Sequence, residues 1–167
     1  MAEGLFITRK DLVKFTSVNG SVDSDKFLQY IKISQDIHIR NYLGTDLFNK
    51  IQDDIEAGTL AGDYLTLVTD YIKPMVIHWA MVEYLPFAAY TIANKGVFKH
   101  GSENASNVDK EEVDFLIEKE RNIAQYYTDR FIDYMSFNAS GKYPEYFSNS
   151  NDDVYPDKNA NFEGWVL

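Results

Sequence analysis

The chain of 167 residues contains no cysteine. That excludes thiol catalysis, cysteine-ligated zinc and any disulfide framework, and it fits a reducing compartment. Histidine is scarce as well: His38, His78 and His100 are the only three. No Glu-x-x-His pair exists, so the usual ligands of a helical di-metal carboxylate site are missing. His78 and Glu83 are five residues apart and so do not share a helix face as the histidines of a zinc protease do. Basic residues are also outnumbered, 16 Lys and Arg against 26 Asp and Glu, for a formal charge of −10. Nucleic-acid affinity comes mainly from neutralising phosphates, so this balance argues against tight DNA or RNA binding, though not against a surface past which DNA slides. The start, MAEGLFITRKD, has no basic stretch leading into an apolar one, which argues against a secretory signal. In that setting the Asn-x-Ser triplets at Asn19, Asn104 and Asn138 read as turn residues rather than glycan acceptors. The acidic group Asp53, Asp54 and Glu56 lacks calcium-loop spacing and reads as a solvated helix face. No Ser-His-Asp order and no phosphate-cradling glycine loop can be drawn. The expectation is a chain with no catalytic residue, no cofactor and no metal.

What the chain does have is one long apolar run, YLTLVTDYIKPMVIHWAMVEYLPFAAYTIAN, at residues 64–94. It is long enough to span a bilayer, but Asp70, Lys73, His78 and Glu83 lie along it, and each charge near a bilayer centre costs about 2.5–3.5 kcal/mol. A buried helical core is the better reading, with no membrane contact. Pro74 and Pro86 each remove a backbone hydrogen bond and clash with the preceding turn, which predicts two or three helical pieces joined at bends. A chain of this length can bury one core without a staple.

Elsewhere, caps and periodicity predict helices. Thr8 with Asp11 resembles a capping box opening a short helix through about Phe15. A loop, SVNGSVDSD, then leads to a helix opened by Ser24 or Asp25 that carries Phe27, Tyr30, Ile31, Ile37 and Leu43 and stops at Gly44. Its Ile31/Ile33 and Ile37/Ile39 alternation also suits a strand, but caps and length favour helix. Thr45 is expected to cap a helix with Leu47, Phe48, Ile51 and Ile55 on one face, closed by Gly58. After residue 94 the chain reads as a helix-stopping Gly96, a brief extended VFK and a polar mobile loop. Ser106 with Asp109 is expected to cap a last long helix bearing Val113, Leu116, Ile117, Ile123, Ala124, Tyr127, Phe131 and Tyr134, ending near 138–141. The predicted class is all-α: a bundle of about four to five helices with a proline-kinked central helix, one long polar loop with a short β segment, and an extended C-terminal arm. The division is 1–147 for the helical domain and 148–167 for the arm.

Two features invite a partner. Glu83 falls on the helical face of Val76, Trp79, Ala80, Phe87 and Tyr90, where a carboxylate is desolvated unless paired: either Arg40 joins it in a buried ion pair, or a bend in the helix leaves the carboxylate exposed. The tail SNSNDDVYPDKNANFEGWVL is polar and turn-rich until it ends in Phe162, Trp165, Val166 and Leu167, which would be an apolar liability on a free monomer. Tyr155 and these four are candidate contacts to a neighbouring protein, with Trp165 as anchor; the alternative is that Phe162 and Trp165 fold back onto their own subunit, which needs only a short linker.

The order DIHIRNYLGTDLFNKI, YIKPMVIHWAMVEYLPF, TIANKGV with its polar loop, and a long helix ending NASGKYPEY resembles the head-to-tail connector proteins of tailed bacteriophages, the head completion or neck ring proteins. The likeness spans roughly residues 24–147 and is greatest to versions in Bacteroidetes-infecting phages, crAss-like phages among them. It implies a small helical virion subunit, without enzymatic activity, that forms a homo-oligomeric ring, dodecameric in most of the family. Such a ring sits in the neck between the portal and the next neck or tail protein, surrounds the passing viral DNA without reading its sequence, and is assembled in the host cytoplasm. By position, the family's inter-subunit or channel-facing loop corresponds to residues 95–107, with Lys95, Val97, Phe98, Lys99 and His100 as contacts. The competing reading is a free acidic helical enzyme or ligand-binding domain, which would stay a monomer or dimer with a closed pocket.

Overall fold

The computed structural model of the chain describes residues 4–18, 24–88, 90–93, 96–99 and 109–159. Those residues form an all-α bundle of five helices that carries one short antiparallel hairpin. Helix α1 (Arg9–Phe15) starts with the expected capping box: the Thr8 hydroxyl accepts from the Asp11 N–H, and the Asp11 carboxylate accepts from the Thr8 N–H at 2.7 Å.

Helix α2 runs through three segments, Ser24–Ser34, a π turn Gln35–Ile39 and a last turn Arg40–Leu43. The isoleucine alternation is therefore helical. The extra residue of the π turn restores the phase, so Ile31, Ile39 and Leu43 are all fully buried while Ile37 is exposed. Gln35 in that turn is buried too; its side-chain carbonyl accepts the Phe6 N–H at 2.7 Å and straps the N-terminal segment to the bundle. Gly44 ends the helix at φ 76°, ψ 158°, a backbone state open in practice to glycine alone.

Helix α3 (Thr45–Ala57) follows at once, with Leu47, Phe48 and Ile51 buried and Gly58 in the left-handed closing position. Thr45 is its first helical residue rather than its cap. Gly44 holds the cap position, and the Thr45 hydroxyl is used by the C-terminal segment instead.

Helix α4 comprises Gly62–Leu67, a π turn Val68–Ile72 and Lys73–Tyr84, and it passes directly into a 3₁₀ turn, Leu85–Phe87. The two prolines fall at the two irregularities. Before Pro74 the wide π turn makes room for the ring, with the Lys73 N–H closing on the Val68 carbonyl. The Asp70 carbonyl, which would look to the missing Pro74 N–H, instead accepts from Arg130 at 2.9 Å. Pro86 lies in the tight final turn. The helical reading of residues 64–94 therefore runs too far: Tyr90–Ala93 is strand β1, paired with β2 (Gly96–Lys99) so that Tyr90 lies opposite Lys99 and Ala93 opposite Gly96. Tyr, Thr and Ile just ahead of a helix-stopping glycine favour a strand.

Helix α5 (Lys110–Lys142) is capped by Asp109 with Glu112, each side chain bonding the other's backbone N–H. The expected cap at Ser106 lies outside the described residues. The box at 109–112 supplies a carboxylate, a stronger acceptor than a hydroxyl. Helix α4 is the shared partner of α2 and α5. Its stretch from Met75 to Val82 is buried on nearly every side, except at His78, as a central helix must be.

Candidate functional site

The ionisable groups of α4 find partners across its seams with α2 and α5, but not the expected ones. Glu83 and Arg40 do not pair. Glu83 Oε1 accepts from His38 Nε2 at 2.7 Å, while the Arg40 guanidinium lies 4.4 Å over the Phe48 ring and reaches Asp36 at 3.6 Å and Asp153 at 3.8 Å. Two residues apart on a helix means about 200° around it, so His38 and Arg40 cannot both face α4. Glu83 is also not deeply buried, with 29% of its side chain exposed.

The His38 ring stacks on Trp79, centroids 4.0 Å apart and planes 11° from parallel. The Trp79 N–H donates at 3.0 Å to the Thr128 hydroxyl on α5, which in turn donates to the Ala124 carbonyl at 2.8 Å. A second dyad sits on the α4–α5 seam. His78 Nδ1 donates to Glu120 Oε2 at 2.7 Å, and its ring lies parallel to Tyr127 with centroids 5.4 Å apart. In each dyad an imidazole donates to one carboxylate while an aromatic ring covers its face, and together they fasten α2 to α4 and α4 to α5. The partners His38, Glu120 and Thr128 escaped the sequence reading. The available signal was His78 itself, a lone imidazole on an apolar helix that needs an acid across the seam.

A different cluster forms where α2 meets α3. The Asp46 carboxylate accepts from the Ser148 hydroxyl at 2.6 Å, the Ser150 N–H at 2.9 Å, the Ser150 hydroxyl at 2.8 Å and the Asn151 side chain at 2.7 Å. The Ser148 bond above all, then those of Ser150 and Asn151, holds the Asp46 carboxyl down at about 2. Thr45 donates its N–H to the Val154 carbonyl and its hydroxyl to Asp153, and the Asp157 N–H reaches the Asn41 carbonyl at 2.8 Å. Pro156 is buried against Gly44, where a Cβ would lie 2.6 Å from the proline ring. These contacts correct the proposed arm: residues 148–159 are docked on their own subunit. Local composition says the segment cannot hold itself, and it does not; the α2–α3 corner holds it.

Of the expected contact residues, Val97, Phe98 and Lys99 lie side by side on β2, opposite Ile92, Thr91 and Tyr90. Tyr155 is half-exposed on the docked segment, with the Lys158 ammonium 4.8 Å from its ring. Lys95, His100, Phe162, Trp165, Val166 and Leu167 lie outside the described residues, as does the polar loop from 100 to 107. Among the described residues no three His, Asp or Glu side chains come together as a metal site requires, and no helix is long and apolar enough to cross a membrane. An open cleft of about 420 Å³ lies beside α1, lined by Asp11, Lys14, Phe15, Lys73, Ile77 and Tyr127 among others.

Residues 39–155 match a family of unknown function (DUF6712). The match covers more than half of the chain, and the protein belongs to that family. No curated protein and no solved structure matched it. The matched span runs from the end of the α2 π turn to Tyr155 and so includes most of the docked C-terminal segment.

Proposed function

We propose that the protein is a structural subunit of a phage neck ring that joins the portal to the tail and surrounds the DNA channel, with no catalytic activity of its own. The observation that carries this reading is the place of the connector-like sequence blocks in the fold. DIHIRNYLGTDLFNKI is the α2–α3 corner, YIKPMVIHWAMVEYLPF is the π turn and buried body of α4, and NASGKYPEY is the end of α5 with the turn after it. The likeness therefore falls on the framework of the bundle, where a shared packing arrangement would be encoded. The charge of −10 suits a wall past which DNA must slide without being gripped.

In this reading the ring is closed by copies of the chain, a dodecamer on the family pattern, and is stacked between the portal and the next neck or tail protein. Val97, Phe98 and Lys99 on the hairpin, with Lys95 and His100 from the same stretch of sequence, are assigned to subunit contacts. The last residues, Phe162, Trp165, Val166 and Leu167, are assigned to a neighbour, with Tyr155 at the edge of the docked segment. The site of action is the virion neck, after assembly in the host cytoplasm.

Electron micrographs of the purified protein, alone and mixed with the portal of the same virus, test the proposal. Rings, or portals bearing an added ring of density, are expected. Particles that stay monomeric or dimeric in both preparations would overturn it and favour a free ligand-binding domain, for which the cleft beside α1 is the place to look.

A further inference from the structure

The face of α5 turned away from α4 carries three large aromatic side chains, Phe115, Tyr126 and Phe137, exposed by 66%, 64% and 85%. At about 100° per residue they form one line, roughly opposite the buried Ala124, Thr128, Phe131, Met135 and Ala139. Their spacing is eleven residues, three helical turns each time, or about 16 Å of rise. The polar residues between them are patterned too. Lys119 and Asp133 are exposed on the same line, and neither has an ion pair or side-chain hydrogen bond to another described residue.

We propose that this face pairs with the same face of a second copy of the chain, antiparallel, about a two-fold axis at Tyr126. That axis brings Phe115 against the partner's Phe137, Lys119 against the partner's Asp133, and Tyr126 against itself. Charge selects this register. A parallel pair in register would set Lys119 against its own copy, and a parallel pair slipped by eleven residues would set it against Arg130. At these exposures the aromatics present roughly 400 Å² per copy. With the polar side chains between them, two copies reach the lower bound of stable specific interfaces, about 1,200 Å². An exposed apolar line of this length on a charged helix is otherwise an association hazard. The pair does not rest on the ring reading and belongs to the chain outside the ring, whose copies all point one way: a head-to-tail ring uses two different faces of each subunit, whereas a two-fold pair uses one face twice.

The absence of cysteine makes the test free of background. On mild oxidation of the full chain, Tyr126→Cys should cross-link to itself. Phe115→Cys and Phe137→Cys should each stay uncross-linked alone but link when mixed. In sedimentation, Lys119→Glu should raise the dimer dissociation constant about tenfold, because symmetry counts the lost contact twice, and adding Asp133→Lys should restore it to within about twofold. Circular dichroism checks that each variant is folded. A folded Tyr126→Cys that does not link, a Phe115→Cys that links to itself, or a charge swap that fails to rescue would overturn the proposal.

Discussion

Gly44 meets two demands at once: a positive φ of 76° and the close seat of Pro156. A methyl group there brings backbone strain and overlap with the proline ring, so Gly44→Ala should lower unfolding stability by about 2–4 kcal/mol in a denaturant titration. A loss under about 0.5 kcal/mol would show that the corner relaxes freely. Glu83 tests a subtler point. Because its partner is His38 and both are partly exposed, Glu83→Ala should cost about 1–2 kcal/mol, less than a buried pair would lose. A double-mutant cycle should give about 1 kcal/mol of coupling between Glu83 and His38 and none beyond error between Glu83 and Arg40. Coupling to Arg40 would restore the sequence expectation. That expectation correctly asked for a partner on the α4 face, but which residue of α2 turns inward depends on the helix phase, and that phase is shifted by a π turn.

The helices whose ends depend on neighbours in sequence were legible. Thr8 with Asp11, Gly44 and Gly58 act within one turn, so local reading finds them. The two π turns were not, because an inserted residue is a response to packing: in α2 it keeps Ile31 and Ile39 on one face, and in α4 it seats Pro74. The hairpin was half-read, β2 as an extended VFK and β1 as helix, since a short strand becomes visible only with its partner. Between α3 and the C-terminal segment the clasp at Asp46 has a pH signature. Its carboxyl is held at about 2 by Ser148, Ser150 and Asn151, below the unfolded value of about 3.9. A depressed carboxyl contributes stability that is present above the unfolded value and lost as pH falls through the folded one. The melting temperatures of wild type and Asp46→Asn should therefore differ by a constant amount near neutrality and converge as pH falls from about 4 to about 2. A gap that persists unchanged to pH 2 would remove the clasp from the account.

The arm reading failed over residues 148–159, for a physical reason. Its partners are remote in sequence: Ser148 with Asp46, Val154 with Thr45, Asp157 with Asn41. No local window contains them. Truncation after Phe147 should thus destabilise the subunit by about 2–4 kcal/mol, the loss of several hydrogen bonds and the Pro156 seat. Truncation after Asn159 should leave the melting curve unchanged while weakening assembly, because it removes only residues 160–167, which carry the proposed contacts Phe162, Trp165, Val166 and Leu167. If the chain ending at Phe147 melts like wild type, the docked segment is dispensable; if the chain ending at Asn159 assembles fully, the last residues carry no contact. The central claim, a ring of this chain at the neck, is tested most directly by native mass spectrometry of the purified protein with and without its portal. The account predicts a closed species at an integral multiple of the 19.3 kDa subunit, twelvefold if it follows the phage connectors it resembles. A spectrum holding monomer and dimer alone, with portal present, would contradict it.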